Sequence, residues 1–303
     1  MKVLQTKNRK LMLQKKLKGN FRPMIRSRHP SHSQLRYQLE KLPFRSVIRL
    51  GSLTDLTDAA TLNGTRIELN SKEAIRNSSN KFKMKECFSQ EGVQTADWYL
   101  FDGEHFQDRS INTESEDYCI PPSDMEYPLV AKHIYGSRGT GNTLIKSQKE
   151  LSSWLVDKKL TNYIFEKYYN YNKEYRLHVT QDGCFYSCRK MLKQEFKEHP
   201  NSWQRHDDNC VWILEENDLF DKPNNWKAIM DNCVRALKSC KLDFGACDLR
   251  VQNNTNSNGE DREFPDFIVV EINSAPSFGE MTLEKYKIEL PKLLTKKYNE
   301  RKN

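Results

Sequence analysis

Asp248, Glu271 and Asn273 have the side-chain types and spacing of an oxygen-rich metal site. In Phe244–Val251, strand alternation puts Cys247, Leu249 and Val251 on one face and Asp248 and Arg250 on the other. In Phe267–Asn273 the same alternation turns Ile268, Val270 and Ile272 one way, with Glu271 and Asn273 the other way. Residues 253–262 between them are polar and turn-prone, so the two strands can pair as a long-looped hairpin. Two carboxylates and an amide oxygen would then converge on one surface. Hard oxygen ligands of this kind suit Mg²⁺, which keeps several waters and shares its shell with substrate phosphates. The ordinary alternative is a pair of polar strand faces open to water.

Cations and glycines that could meet phosphate lie upstream. Lys132 sits in a strand beside Val130 and Ile134, a poor place for an ammonium unless an anion meets it there. It directly precedes a loop containing Gly136, Ser137, Arg138, Gly139, Thr140 and Gly141, whose backbone N–H groups can surround phosphate oxygens. No Gly-Lys-Ser/Thr closes this loop, so it is not a Walker A motif. Lys81 opens a predicted helix and is a second candidate phosphate contact. Glu166, Lys167, Tyr168 and Tyr169 end a strand with a carboxylate and aromatics. Beyond them, Glu174, Arg176 and His178 alternate onto one polar face, where a fixed guanidinium can clamp a phosphoryl group. Singly, each has a plainer explanation: a surface lysine, a flexible hairpin, a cross-strand salt bridge.

These residues need strands and helices to hold them. Phe44–Gly51 is expected to be a strand closed by a glycine turn. Ser79 or Asn80 can cap a helix running to Gln90, with Gly92 as its stop. Further strands are predicted at Trp98–Phe101, Leu129–Ile134, Tyr163–Lys167, Glu174–Thr180 and Cys184–Lys190, with an aperiodic polar loop over residues 102–117. Ser147 and Glu150 form a capping box ahead of Leu151, Trp154 and Leu155. Trp226, Ile229, Met230, Cys233, Leu237 and Cys240 recur at helical spacing, so residues 224–241 read as a core-facing helix, and a basic helix closes the chain from about Thr282. Strands and helices in both halves argue for an α+β chain of several lobes.

Charge is unevenly spread. Residues 1–50 carry 14 Lys and Arg against the single acid Glu40; this +13, taken from the overall +8, leaves −5 for residues 51–303. A basic arm over residues 1–44 therefore precedes a mildly acidic body, and such an arm suits an acidic protein, nucleic acid or an anionic membrane. No run approaches the roughly 18 apolar residues of a membrane span. The N-terminus has no apolar stretch behind its charges, so no secretory signal is expected. The eight cysteines are scattered at largely apolar positions; Cys184 and Cys188 lack a second pair at zinc-ligand spacing. A cytoplasmic, reducing setting is expected, the host cytoplasm if a phage encodes the chain.

Taken in order, Lys81, Lys132 with its glycine loop, the Glu166–Tyr169 segment, Glu174 with Arg176, Asp248, and the Glu271–Pro276 run resemble the ATP-grasp superfamily. The likeness is strongest to its peptide- and amino-acid-ligating members, such as ribosomal-protein glutamate-tailing ligases, and to short phage ATP-grasp proteins. The resemblance implies an ATP-grasp fold whose two lobes clasp the nucleotide. It implies a reduced α/β segment at 45–78, a small lobe with the glycine loop at 79–168 and a large lobe with the metal site at 169–303. By the same resemblance, Lys81 and Lys132 would hold the α- and β-phosphates under the mobile loop Gly136–Asn142, and Glu166–Tyr169 would be the hinge pairing its backbone with adenine. Glu174 would take the ribose hydroxyls. Asp248, Glu271 and Asn273 would bind two Mg²⁺ ions (Mn²⁺ could substitute), and Arg176, Lys190 and Arg205 would stabilise the transferring phosphoryl group.

The implied reaction is ATP-dependent ligation: a carboxylate is activated as an acyl phosphate, and an amine then attacks it. The substrates would be small-molecule or peptide carboxylates and amines. Two alternatives remain, an ATP-grasp kinase acting on a hydroxyl and a virion-associated binding protein that uses the basic arm. Only one obvious strand falls in residues 45–78, which leaves the acceptor site unassigned. The segment 195–218, with Trp203, Arg205, His206, Asn209 and Trp212, is the expected substrate-facing loop.

Overall fold

The computed structural model describes residues 24–26, 30–35, 42, 44–55, 66–110, 119–136, 139–200, 202–205 and 208–301. Most of the expected basic arm, residues 111–117 of the polar loop, Ser137, Arg138 and His206 lie outside the described residues. In chain order the elements begin with β1 (Met24–Arg26), β2 (Ser46–Arg49), β3 (Ile67–Leu69), α1 (Lys72–Ser79) and α2 (Lys81–Gln90). Next come β4 (Trp98–Phe101), β5 (Phe106–Asp108), β6 (Cys119–Ile120), β7 (Leu129–His133), β8 (Thr143–Ile145), α3 (Gln148–Leu155) and β9 (Tyr163–Lys167). The chain continues with β10 (Lys173–Thr180), β11 (Gly183–Leu192), β12 (Cys210–Leu214), α4 (Trp226–Ser239), β13 (Phe244–Val251), β14 (Phe267–Asn273) and α5 (Glu280–Glu300). The mixed α+β composition agrees with the sequence. Two units emerge, Met1–Ile75 with Ala275–Asn303, and Arg76–Ser274.

The first unit holds a parallel sheet ordered β1-β2-β3. Helix α5 closes it: Phe44 stacks on Tyr298 at 4.3 Å, and Lys297 Nζ donates to the Glu68 carbonyl at 3.0 Å. Two expectations are corrected here. The segment anticipated as one strand contributes two, and a third, β1, lies inside the supposed arm; strands of three or four residues are too short to show alternation among so many basic side chains. Residues 275–303, assigned from the sequence to the large lobe, group instead with the N-terminal segment, because Tyr286, Leu290 and Leu294 of α5 are buried there beside β3.

The second unit holds two antiparallel sheets. The six-stranded sheet is ordered β6-β5-β4-β9-β7-β8. One face carries an aromatic core of Tyr99, Phe101, Phe106 and Phe165, closed by Leu151 and Trp154 of α3, and the capping box forms with Ser147 Oγ accepting from Glu150 N. The opposite face carries Trp98, Val130, Lys132 and Glu166, since the register pairs Trp98 and Val130 with Glu166. Helix α2 lies over it, capped as expected by Asn80, with Phe82 meeting Trp98 edge-on at 5.9 Å.

The five-stranded sheet is ordered β12-β11-β10-β13-β14. Tyr175, Leu177, Cys247, Leu249 and Ile272 are buried, and Ile229, Cys233, Ala236 and Leu237 of α4 supply the covering apolar stripe that the helical spacing predicted. The described cysteines are all free thiols, and five of the eight are buried. Part of the expected substrate loop is in fact a strand: Cys210–Leu214 forms β12 at the sheet edge.

Strict alternation fails in β14. Asp248 pairs with Glu271 but Leu249 pairs with Val269, so Val270 is the extra residue of a β-bulge. The bulge keeps Glu271 and Asn273 beside Asp248 and turns the fully buried Val269 toward the core. Ile268, expected opposite Glu271, pairs with Arg250 and shares its face. The two valines should therefore respond unequally. Val269→Ala is expected to lose about 2 kcal/mol of stability for the buried methyls removed. Val270→Ala should stay within about 0.5 kcal/mol of the parent, as expected of a site outside the core. Denaturant unfolding of both variants checks this, and equal losses would contradict the bulge.

Candidate active site

Directly opposed residues on paired strands share a face, so the register of the five-stranded sheet fixes what lies together. One row reads Trp212, Lys190, Glu174, Arg250, Ile268; the next reads Leu214, Cys188, Arg176, Asp248, Glu271; the third reads Tyr186, His178, Ala246, Asn273. Asp248, Glu271 and Asn273 thus meet as the sequence proposed. Asn273 Nδ2 donates to Asp248 Oδ2 at 3.0 Å and to Glu271 Oε1 at 3.2 Å, bridging the two carboxylates.

Each carboxylate also has a cation. Arg176 reaches Asp248 through two hydrogen bonds, Nε to Oδ1 at 2.7 Å and a terminal N–H to Oδ2 at 2.8 Å. This fork geometry is the strong form of the arginine–carboxylate pair. Lys81 Nζ donates to Glu271 Oε2 at 3.1 Å and to the Gly136 carbonyl at 2.9 Å, while its backbone N–H donates to Ile134 O. Lys81 therefore pins the glycine loop to the carboxylate pair. The loop is tight enough to need its glycines: a Cβ on Gly136 would lie 2.5 Å from the Thr140 carbonyl, and Gly141 adopts φ +79°.

The two carboxyls titrate in opposite directions. Burial raises Asp248 above the ordinary carboxylate range, opposed by Arg176 and reinforced by the neighbouring Glu271 charge. Burial acts the same way on Glu271, but Lys81 and Lys132 outweigh it and hold that carboxyl at about 2. His178, buried next to Arg176 on the same strand face, is pushed down to about 3 by burial and by that guanidinium, so it is neutral at neutral pH.

Glu174 lies among cations: Lys190 Nζ at 3.6 Å, Arg250 Nε at 3.5 Å and Arg205 Nε at 4.0 Å. The same cations donate to backbone carbonyls, Arg250 to Trp203 at 2.5 Å, Lys190 to Arg205 at 2.5 Å and Arg205 to Asn172 at 2.8 Å. Arg176 and Lys190 lie 4.9 and 5.3 Å from the Trp212 ring centroid. Trp203, Arg205, Asn209 and Trp212 of the expected substrate segment are thus tied to this face or to its neighbours, with Asn209 Nδ2 donating to Gln204 O. Arg250 had no role in the sequence argument, although its alternation with Asp248 already marked its face.

On the six-stranded sheet the anion demanded by Lys132 proves to be a protein carboxylate. Lys132 Nζ donates to Glu166 Oε2 at 2.6 Å, and Lys85 Nζ lies 3.4 Å from Glu166 Oε1. Lys85 passed unnoticed in the sequence, yet its spacing of four from Lys81 places both on one helix face. The expected hinge is partly committed as well: Lys167 N donates to Asp97 O and Tyr168 N to Pro128 O, each within 3.0 Å, and Tyr169 OH donates to Asp97 Oδ2 at 2.9 Å.

Among the described residues no trio of His, Cys, Asp and Glu gathers, so a metal here would rest on two carboxylates and one amide. That donor set fits a hard divalent ion that keeps several waters and shares phosphate ligands, with Asp248, Glu271 and Asn273 as its protein ligands.

Several solved enzyme structures share this fold. D-alanine–D-alanine ligase from Bacillus anthracis, complexed with ATP, matches with a TM-score of 0.54 at 16% identity, covering 85% of this chain and 80% of the ligase. Carboxyaminoimidazole ribonucleotide synthase from Aspergillus clavatus, complexed with ATP, gives 0.52 at 18% identity, over 82% of this chain and 60% of the synthase. Biotin carboxylase from Campylobacter jejuni, as a β,γ-ATP complex, gives 0.52 at 15% identity, over 82% of this chain and 53% of the carboxylase. No protein-family model and no curated sequence matches the chain. The chain therefore has the ATP-grasp fold of these enzymes. Among the described residues no helix is long and apolar enough to cross a membrane.

Lys81 is the main force holding Glu271 ionised, so Lys81→Met should raise the Glu271 midpoint by about one unit or more. Glu271 contributes stability above the ordinary carboxylate range and loses it as the pH falls through about 2, so the variant should also lose stability at higher pH than the parent. Carboxyl ¹³C resonances followed from neutral pH downwards report the shift; an unchanged midpoint would contradict the assigned contact.

Proposed function

We propose that the protein is an ATP-dependent ligase that activates a carboxylate as an acyl phosphate for attack by an amine. The observation that carries this reading is the bridged Asp248–Glu271–Asn273 cluster with Arg176 and Lys81 on its flanks, set in a fold shared with ATP-bound ligases. In this reading two lobes clasp the nucleotide. Lys81 and Lys132 contact the α- and β-phosphates, with the loop of Gly136, Ser137, Gly139, Thr140 and Gly141 closing over them. Glu166–Tyr169 forms the hinge against adenine, and Glu174 takes the ribose hydroxyls.

Asp248, Glu271 and Asn273 would hold Mg²⁺, which neutralises phosphate charge as the γ-phosphoryl group is transferred. A carboxylate oxygen of the substrate attacks the γ-phosphorus, and the bond to the β-phosphate oxygen breaks to release ADP. The amine then attacks the acyl carbon, phosphate departs with the bonding electrons, and the ammonium proton is lost to solvent. Arg176, Lys190 and Arg205 would stabilise the charge spreading over the transferred group. Such chemistry needs positioning and charge rather than a protein nucleophile. Small molecules or peptides would supply the carboxylate and the amine; peptides fit the sequence resemblance.

Hydroxylamine tests the reading because it intercepts an acyl phosphate. With ATP, Mg²⁺ and pooled amino acids, peptides and organic acids, the parent protein should release ADP and form a hydroxamate. Arg176→Ala should cut this by about 100-fold, the scale of losing one preorganised charge contact. A stable phosphate ester without hydroxamate would instead identify a kinase and overturn the ligase assignment.

A further inference from the structure

Among the described residues of the second unit, Lys85 is the most deeply buried cation, with no exposed side-chain surface. Its Nζ donates to Thr95 Oγ1 at 2.5 Å and to Ala96 O at 3.4 Å, and lies 3.4 Å from Glu166 Oε1. Thr95 Oγ1 in turn donates to Val269 O at 2.6 Å, which fixes the hydroxyl for the ammonium to use. The other oxygen of Glu166 holds Lys132 at 2.6 Å. A buried carboxylate between two ammonium groups leaves one net positive charge on this face, whereas a single pair would leave none. Burying a third charged group is costly unless it serves a purpose, since an apolar side chain would fill the same space without desolvation.

We propose that Lys85 is a positioning residue for nucleotide binding: through Glu166 it sets the place and the net charge with which Lys132 meets phosphate. The inference rests on the nucleotide reading of Lys132 given above. Besides Glu166 and Lys132, Asp97 is the charged group whose field reaches Lys85. Burial pulls Lys85 down to about 8, partly offset by Glu166, so its charge can be removed within an accessible pH range. With its folded value at about 8, the ammonium is ionised below about pH 8 and loses its charge above it. Neutral Lys85 would leave Lys132 fully compensated by Glu166.

The experiment is calorimetric titration of a non-hydrolysable ATP analogue with Mg²⁺ between pH 6.5 and 9.5. The parent should bind with constant affinity at the acid end, then weaken by about tenfold per pH unit above its break. Lys85→Met should bind weakly throughout with no break. Thr95→Val, which deprives the ammonium of a buried partner and spares every charge, should move the break to lower pH and is the milder change if Lys85→Met does not fold. A parent profile matching Lys85→Met, or a break unmoved in Thr95→Val, would overturn the positioning role. A parent that binds no nucleotide at any pH would instead overturn the reading on which the role rests.

Discussion

Two carboxylates directly opposed on paired strands repel, and the pair Asp248 and Glu271 imposes that problem on everything around it. The answer is built from both sides. Arg176, next along the row, takes Asp248 in a two-bond fork; Lys81, from the start of α2, takes Glu271; and Asn273 donates to one oxygen of each. Because Lys81 also holds the Gly136 carbonyl, the position of the glycine loop follows from the same electrostatic need. An arrangement so dependent on imported cations is suited to exchange them for a ligand that brings its own metal and phosphates.

The β-bulge at Val270 makes this possible without exposing the core. It lets one strand present Glu271 and Asn273 to the charged face while Val269 stays buried and its N–H donates to Gln94 O at 2.9 Å. The two sheets share a design: apolar side chains on one face under a helix or an aromatic cluster, charges on the other. Lys81, Lys85, Lys132, Arg176, Lys190, Arg205 and Arg250 outnumber Glu166, Glu174, Asp248 and Glu271. A surplus of this sign suits the polyanion of the proposed function.

What the sequence revealed follows from the range over which each signal acts. Alternation in β13 and helical spacing in α4 are local and strong, and the convergence of Asp248, Glu271 and Asn273 could be drawn from them with one assumed hairpin. The bulge could not, because an inserted residue leaves no compositional mark when its neighbours are all β-branched, as in Ile268–Val270. The sequence required an anion beside Lys132 without identifying it, because Glu166 lies 34 residues away and only the β7–β9 register brings them together. The three-residue strands β1 and β3 fell below the length at which any period shows. The place of α5 depended on contacts with residues more than two hundred positions earlier.

The central claim is that the Asp248–Glu271–Asn273 cluster binds metal together with nucleotide. The most direct measurement is a comparison of the parent and Glu271→Ala for binding of a non-hydrolysable ATP analogue, with Mg²⁺ present and with it chelated. Metal-dependent binding in the parent that weakens by about tenfold or more in the variant is the predicted result, on the scale of losing one ligand of a bound ion. Equal binding by the two proteins, or binding indifferent to Mg²⁺, would contradict it.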